Sequence, residues 1–76
     1  MTIRENISQQ LIFERKKANL SQEKLADLAN VHRTYISPIE RNLKSPTVEV
    51  IFSICSALSI RPSSFIKEVE NGLSHK

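Results

Sequence analysis

The stretch Leu20-Ser21-Gln22-Glu23-Lys24-Leu25-Ala26-Asp27-Leu28-Ala29-Asn30, continuing Val31-His32-Arg33-Thr34-Tyr35-Ile36-Ser37-Pro38-Ile39-Glu40-Arg41-Asn42, decides the fold. Ser21 suits an N-cap, because its hydroxyl can accept from a backbone N–H of the first turn, and Glu23 suits the positive end of the helix dipole. Leu25, Ala26 and Leu28 give the apolar face of a short helix over residues 22–29, which stops at Asn30. Val31 fills the turn, and the spacing predicts a third helix from Arg33 to Arg41 with Ile36 and Ile39 facing inward, stopping at Asn42. Upstream, Ile3, Ile7, Leu11 and Ile12 recur at helical spacing in a first helix that stops at Asn19. The chain has one glycine. Asparagine is the residue after glycine that best tolerates the left-handed conformation at a helix end, so Asn19, Asn30 and Asn42 read as three helix stops.

Downstream, Ser45-Pro46-Thr47 is a start signal with Thr47 as N-cap, and Ile51, Ile54, Cys55 and Leu58 are the inner face of a fourth helix. Arg61-Pro62-Ser63 opens a fifth, since proline is well placed at a first helical position, and Phe65, Ile66 and Val69 lie along it. The reading is all-α, a compact five-helix domain over residues 1–70, with residues 71–76 expected as a flexible tail. Seventy-six residues, 39% of them hydrophobic, suffice for one small core and no more.

Several function classes fall away on composition. No apolar run approaches the ~20 residues of a spanning helix, so no membrane partner is expected. The opening Met1-Thr2-Ile3-Arg4-Glu5 lacks the apolar region of a signal peptide, and the one cysteine, Cys55, permits no internal disulfide and fits a reducing cytoplasm. Cys55 reads as a buried small hydrophobe. His32 and His75 have no cysteine or carboxylate companions at metal-ligand spacing, no glycine-rich phosphate loop exists, and no base stands beside a nucleophile. No enzyme, metal or cofactor is expected.

The formal net charge is +3, and its placement says more than its size. Between residues 32 and 47, Arg33, Arg41 and Lys44 stand against Glu40 alone, whereas the flanking segments are nearly balanced. A basic focus suits a polyanion through counterion release, but an ordinary solvated surface accounts for it as well. The helices add what charge cannot. Two short helices joined by a tight turn, the second followed by a basic turn, form the helix-turn-helix arrangement. Its second helix enters the DNA major groove. Arg33, Thr34, Tyr35 and Ser37 are then the candidate base readers, Arg33 by two hydrogen bonds to guanine O6 and N7. Gln22, His32, Arg41, Asn42, Lys44 and Ser45 are the candidate contacts to the DNA backbone. Pro38 disturbs this picture. Counted from Arg33 it is the sixth helical residue, where proline removes a hydrogen bond to the Thr34 carbonyl and crowds it, so the helix must bend or its first turn must tilt.

Val50, Phe52, Ile66 and Val69 exceed what one inner face requires, which predicts a two-fold dimer built on helix 5 and the end of helix 4. DNA half-sites would then lie about one turn, ~34 Å, apart. Phe52 would alternatively complete the core.

The ordered series Leu20-Ser21-Gln22-Glu23-Lys24-Leu25-Ala26, Val31-His32-Arg33-Thr34-Tyr35-Ile36-Ser37, Ile39-Glu40-Arg41-Asn42, Pro46-Thr47 and Ile54-Cys55-Ser56-Ala57-Leu58 resembles the phage-repressor-like (Xre) helix-turn-helix family. The His-Arg-Thr-Tyr-Ile-Ser and Ile-Glu-Arg-Asn segments are especially similar to controller proteins of restriction-modification systems. The resemblance implies a homodimeric regulator that binds paired operator half-sites on double-stranded DNA near its own promoter, where RNA polymerase is a further candidate partner. It also implies a structural ion pair between Arg15 and Glu40 that ties the first helix to the third. A phage-type repressor or antitoxin of the same fold remains an alternative. So does a protein-docking module, which would present a more apolar face on the third helix.

Overall fold

The computed structural model describes residues 2–73. The five α-helices are α1 (Ile3–Lys17), α2 (Gln22–Ala29), α3 (Ile36–Glu40), α4 (Val48–Ala57) and α5 (Pro62–Leu73), with a 3-10 turn over Arg33–Tyr35 leading into α3. The starts of α1, α2 and α4 are capped by side chains. Ser21 Oγ accepts from Lys24 N at 3.0 Å and Thr47 Oγ1 from Val50 N at 3.1 Å, each satisfying a backbone N–H the helix leaves free. Thr2 and Glu5 form a reciprocal capping box at α1, and the bond from the Thr2 backbone N–H, with that from its hydroxyl, holds the Glu5 carboxyl below its ordinary value.

The helix ends repeat one device four times. Asn19, Asn30 and Asn42 take φ of 60°, 57° and 60°, and Ser59 takes 59°. After each comes an apolar residue whose N–H reaches back five residues: Leu20 to Arg15 O, Val31 to Ala26 O, Leu43 to Pro38 O and Ile60 to Cys55 O, at 2.9 to 3.2 Å. These bonds satisfy carbonyls the helices would otherwise leave open. Leu20, Val31 and Ile60 also pack against the core, so three of these turns are both hydrogen-bonded and anchored, while Leu43 stays on the surface.

The core takes Leu11 from α1, Leu25 from α2, Ile36 and Ile39 from α3, and Cys55 from α4, all fully buried, and is closed by Phe65 and Val69 of α5. Burial pushes the Cys55 thiol up to about 11, with a smaller contribution from Glu14, so it is a packing residue and not a thiolate. α5 crosses α1 closely. Asn6 Nδ2 donates to Val69 O at 3.1 Å, and a Cβ on Gly72 would stand 2.7 Å from that same nitrogen. The only glycine of the chain therefore serves helix contact and not a turn.

Three expectations need correction. Ile3, at the first residue of α1, is 60% exposed, whereas Ile7 and Leu11 of the same stripe are buried. Leu28 is 52% exposed: at 100° per residue, positions 25, 29 and 26 fill one face of α2, and position 28 falls roughly 60° beyond its edge. At the C-terminal end, residues 71–73 are helical, not tail, since α5 runs to Leu73. Residues 74–76 of that expected tail lie outside the described residues.

The third helix also departs from a single α-helix over Arg33–Arg41. The 3-10 turn spans Arg33–Tyr35, and α3 starts afresh at Ile36, which makes Pro38 its third residue. A residue in that first turn needs no N–H donor, so the proline costs no α-helical bond. Of the two alternatives, bend or altered first turn, the chain takes the second. Pro38→Ala is accordingly expected to change the unfolding free energy by less than about 1 kcal/mol in urea denaturation. A gain near ~3 kcal/mol would mean the proline strains the segment.

Candidate nucleic-acid interface

One face of α1 sets the position of everything that follows. Arg4, Ser8, Leu11 and Arg15 recur at spacings of four, three and four, which lines them along one side of the helix. Ser8 Oγ donates to Glu40 O at 2.6 Å, and Arg4 Nε donates to Asn42 Oδ1 at 3.0 Å. Arg15 grips the Glu40 carboxylate from two nitrogens, Nε to Oε2 at 2.6 Å and Nη2 to Oε1 at 2.9 Å, while Nη1 donates to Leu20 O at 2.8 Å. Hydrogen bonding to Glu40 raises the Arg15 pKa against the opposing effect of burial. The side chains are 12% and 4% exposed. Gln22 Nε2 adds a third donor to Glu40 Oε1 at 2.9 Å. The end of α3, the body of α1 and the start of α2 thus meet on a single carboxylate.

That network also takes in Gln22, expected at the DNA backbone: its amide nitrogen donates to Glu40, while the residue lines the groove beside Arg33. His32 stays exposed but caps the segment that follows: it precedes the 3-10 turn, and its Nδ1 accepts from Thr34 N at 3.3 Å and meets Thr34 Oγ1 at 2.8 Å. A nitrogen that accepts from the backbone N–H has its lone pair presented, so the threonine hydroxyl is the donor in the second contact. The Asn42 side chain is held by Arg4, which the sequence reading did not single out. Arg41 is exposed at the end of α3.

The candidate base readers fall into two groups. Arg33, Thr34 and Ser37 line one shallow groove together with Gln22 and Glu23. Tyr35 lines a different cleft with Lys44, Ser45, Pro46, Thr47 and Val50, and the Lys44 ammonium lies 4.8 Å from its ring centroid. Tyr35 therefore keeps company with two residues expected at the DNA backbone, as its position nearly opposite Arg33 and Ser37 around the helix axis dictates. In the first groove, Arg33 Nη1 donates to Glu23 Oε2, with side chains 67% and 63% exposed. Exposed pairs of this kind contribute about 0.2–1 kcal/mol, less than the ~1–3 kcal/mol of a bidentate arginine–guanine contact, so the pair does not bar Arg33 from a base. Glu23 was read from sequence only as a helix-dipole residue. Its position two residues after the Ser21 cap, opposite the start of the next helix, was the available signal.

The expected dimer residues also divide. Phe52 and Ile66 are 57% and 44% exposed, while Val50 is partly buried beside the Tyr35 cleft. Val69 is 5% exposed and belongs to the chain's own core, so it has no surface to offer a partner, and Phe52 does not complete that core. Phe13, Leu43 and Val48 are further large apolar side chains on the surface.

Residues 11–65 match the Helix-turn-helix family model. The chain is similar to Control protein C.BamHI of Bacillus amyloliquefaciens, 44% identical over 66% of this chain and 62% of that one. It is also similar to Control protein C.SmaI of Serratia marcescens, 36% identical over 78% of this chain and 70% of that one. The match thus spans about three fifths of the first relative's length. Among solved structures, the wild-type restriction-modification controller protein C.Esp1396I superposes with a TM-score of 0.86 at 26% identity, over 100% of this chain and 97% of that one.

Proposed function

The chain belongs to the helix-turn-helix family and is homologous to restriction-modification control proteins, and from that premise we propose that it is a sequence-specific DNA-binding transcriptional regulator of that controller type. The observation that carries the reading is the groove in which Arg33, Thr34 and Ser37 stand together at the start of the second helix of the motif. Arg33, free to leave an exposed partner, reads guanine. Thr34 and Ser37 present hydroxyls beside it, and Tyr35, Lys44 and Ser45 take the flanking DNA, with Arg41 and Lys44 supplying charge to the phosphates. Arg15 and Glu40 are structural and touch no base. The polar character of this face argues against the protein-docking alternative, and a phage-type repressor would use the same groove.

The regulator acts as a homodimer through a patch that includes Phe52 and Ile66, in the cytoplasm, with RNA polymerase as the partner met at a promoter. A single binding experiment tests the core of this reading. In a gel shift on the DNA upstream of the chain's own gene, Arg33→Ala is expected to cost about 1–3 kcal/mol and to relax preference at one base pair. Equal loss on every sequence would assign Arg33 to the backbone, and no shift with the intact protein would refute DNA binding. Sedimentation of the same sample at micromolar concentration should give a dimer, and a monomer would remove the two-fold arrangement.

A further inference from the structure

Glu23 is a carboxylate in a groove otherwise suited to an anionic polymer, and its place in the first turn of α2, favoured modestly by the helix dipole, does not require it to face that groove. It is 63% exposed on its side chain, its contact is the Arg33 guanidinium, and the neighbouring Gln22 is committed to Glu40. A carboxylate brought close to phosphates weakens binding to every duplex alike unless a donor meets it. In the major groove such donors are the amino groups of cytosine and adenine, whereas guanine O6, guanine N7 and thymine O4 face it with lone pairs. We propose that Glu23 is a specificity-determining residue: it holds Arg33 in the groove and penalises duplexes that offer its carboxylate no amino group. The inference rests on the DNA-binding reading above. Arg33 supplies the attraction for guanine, and Glu23 supplies the repulsion that makes a wrong base costly. The pair also keeps the free guanidinium from settling on any passing phosphate.

The test uses the full chain and a randomised duplex library. Duplexes enriched by the intact protein are compared with those enriched by Glu23→Gln and by Arg33→Ala. Binding to the best duplex and to a scrambled one is then measured by fluorescence anisotropy at about 50 and 200 mM salt. Because both side chains are exposed, Glu23→Gln should melt like the parent. It should bind the scrambled duplex several-fold tighter and the best duplex no tighter, so that the ratio between them falls roughly tenfold. Its enriched set should lose preference at a base pair at or next to the one relaxed by Arg33→Ala. An unchanged ratio with an unchanged enriched set would overturn the proposal while leaving DNA binding intact. A protein that enriches no duplex at all would overturn the DNA reading, and this proposal with it.

Discussion

Glu40→Ala should lower the unfolding free energy by about 3–5 kcal/mol, the range found when one member of a buried ion pair is removed. The magnitude follows from what is left behind. Arg15 would keep its charge at 12% side-chain exposure, with Nε and Nη2 deprived of their acceptor and only Leu20 O remaining. Gln22 Nε2 would lose its acceptor as well. The reverse change, Arg15→Ala, leaves a carboxylate at 4% side-chain exposure with a single amide donor, and should cost a similar amount. The double variant should lose less than the two single losses together, because each single change strands a charge that the double change removes. Glu40→Gln is the finer probe. The carboxylate accepts from Arg15 at both oxygens and from Gln22 at one of them, and an amide would set an NH2 group against one of these donors. Urea denaturation near neutral pH reads all four. The raised pKa of Arg15 means that its stabilising share is present below the ordinary arginine value and fades only as pH rises through the higher folded value, so it is intact there. A Glu40→Gln protein as stable as the parent would show the network to be dispensable.

How much of this was legible beforehand depends on whether the cause was local. Asn19, Asn30 and Asn42 announced three helix ends because left-handed backbone restricts the residue itself. Ser59 makes the same turn without announcing it, since serine has no such preference and the bond from Ile60 N to Cys55 O belongs to its neighbours. Pro38 revealed that the third helix could not be regular, but not how the chain would respond. The answer, a 3-10 turn that places the proline in the first turn of α3, lies in the packing of Ile36 and Ile39. The pairing of Arg15 with Glu40 was visible only through family resemblance, because 25 residues separate the partners. Gln22 to Glu40 was not visible at all, and for Glu23 only its place in the first turn of α2 was visible, not its pairing with Arg33. Both pairings depend on how α2 lies against the end of α3 and the turn before it, which is set by burial of Leu25 and Ala26 and not by any spacing near the polar residues. Val69 was misplaced for a related reason: the pattern shows that a residue is apolar, while whether its own chain or a second copy covers it depends on how α5 crosses α1.

The second large effect is expected at Ile36. The reading segment has little intrinsic stability, with three residues of 3-10 turn and a five-residue helix, far below the length at which a helix persists alone. Burial must hold it, and Ile36, with no exposed surface, is the first residue after the turn that carries Arg33, Thr34 and Tyr35. Ile36→Ala should cost about 2–5 kcal/mol in unfolding free energy, and Ile36→Val about 0.5–1.5 kcal/mol. A general loss of stability would not by itself connect packing to reading, so the control is Ile54→Ala. That residue is 3% exposed in the middle of α4, away from the groove, and its loss is expected in the same range. Measured where all variants remain folded, Ile54→Ala should bind DNA as the parent does. Ile36→Ala should bind more weakly, because the cavity beneath the 3-10 turn lets the Arg33 end of the groove shift. Equal DNA affinity for the two alanine variants, at equal stability, would mean that the capping bond from Thr34 N to His32 Nδ1 holds the reading turn without the side chain beneath it.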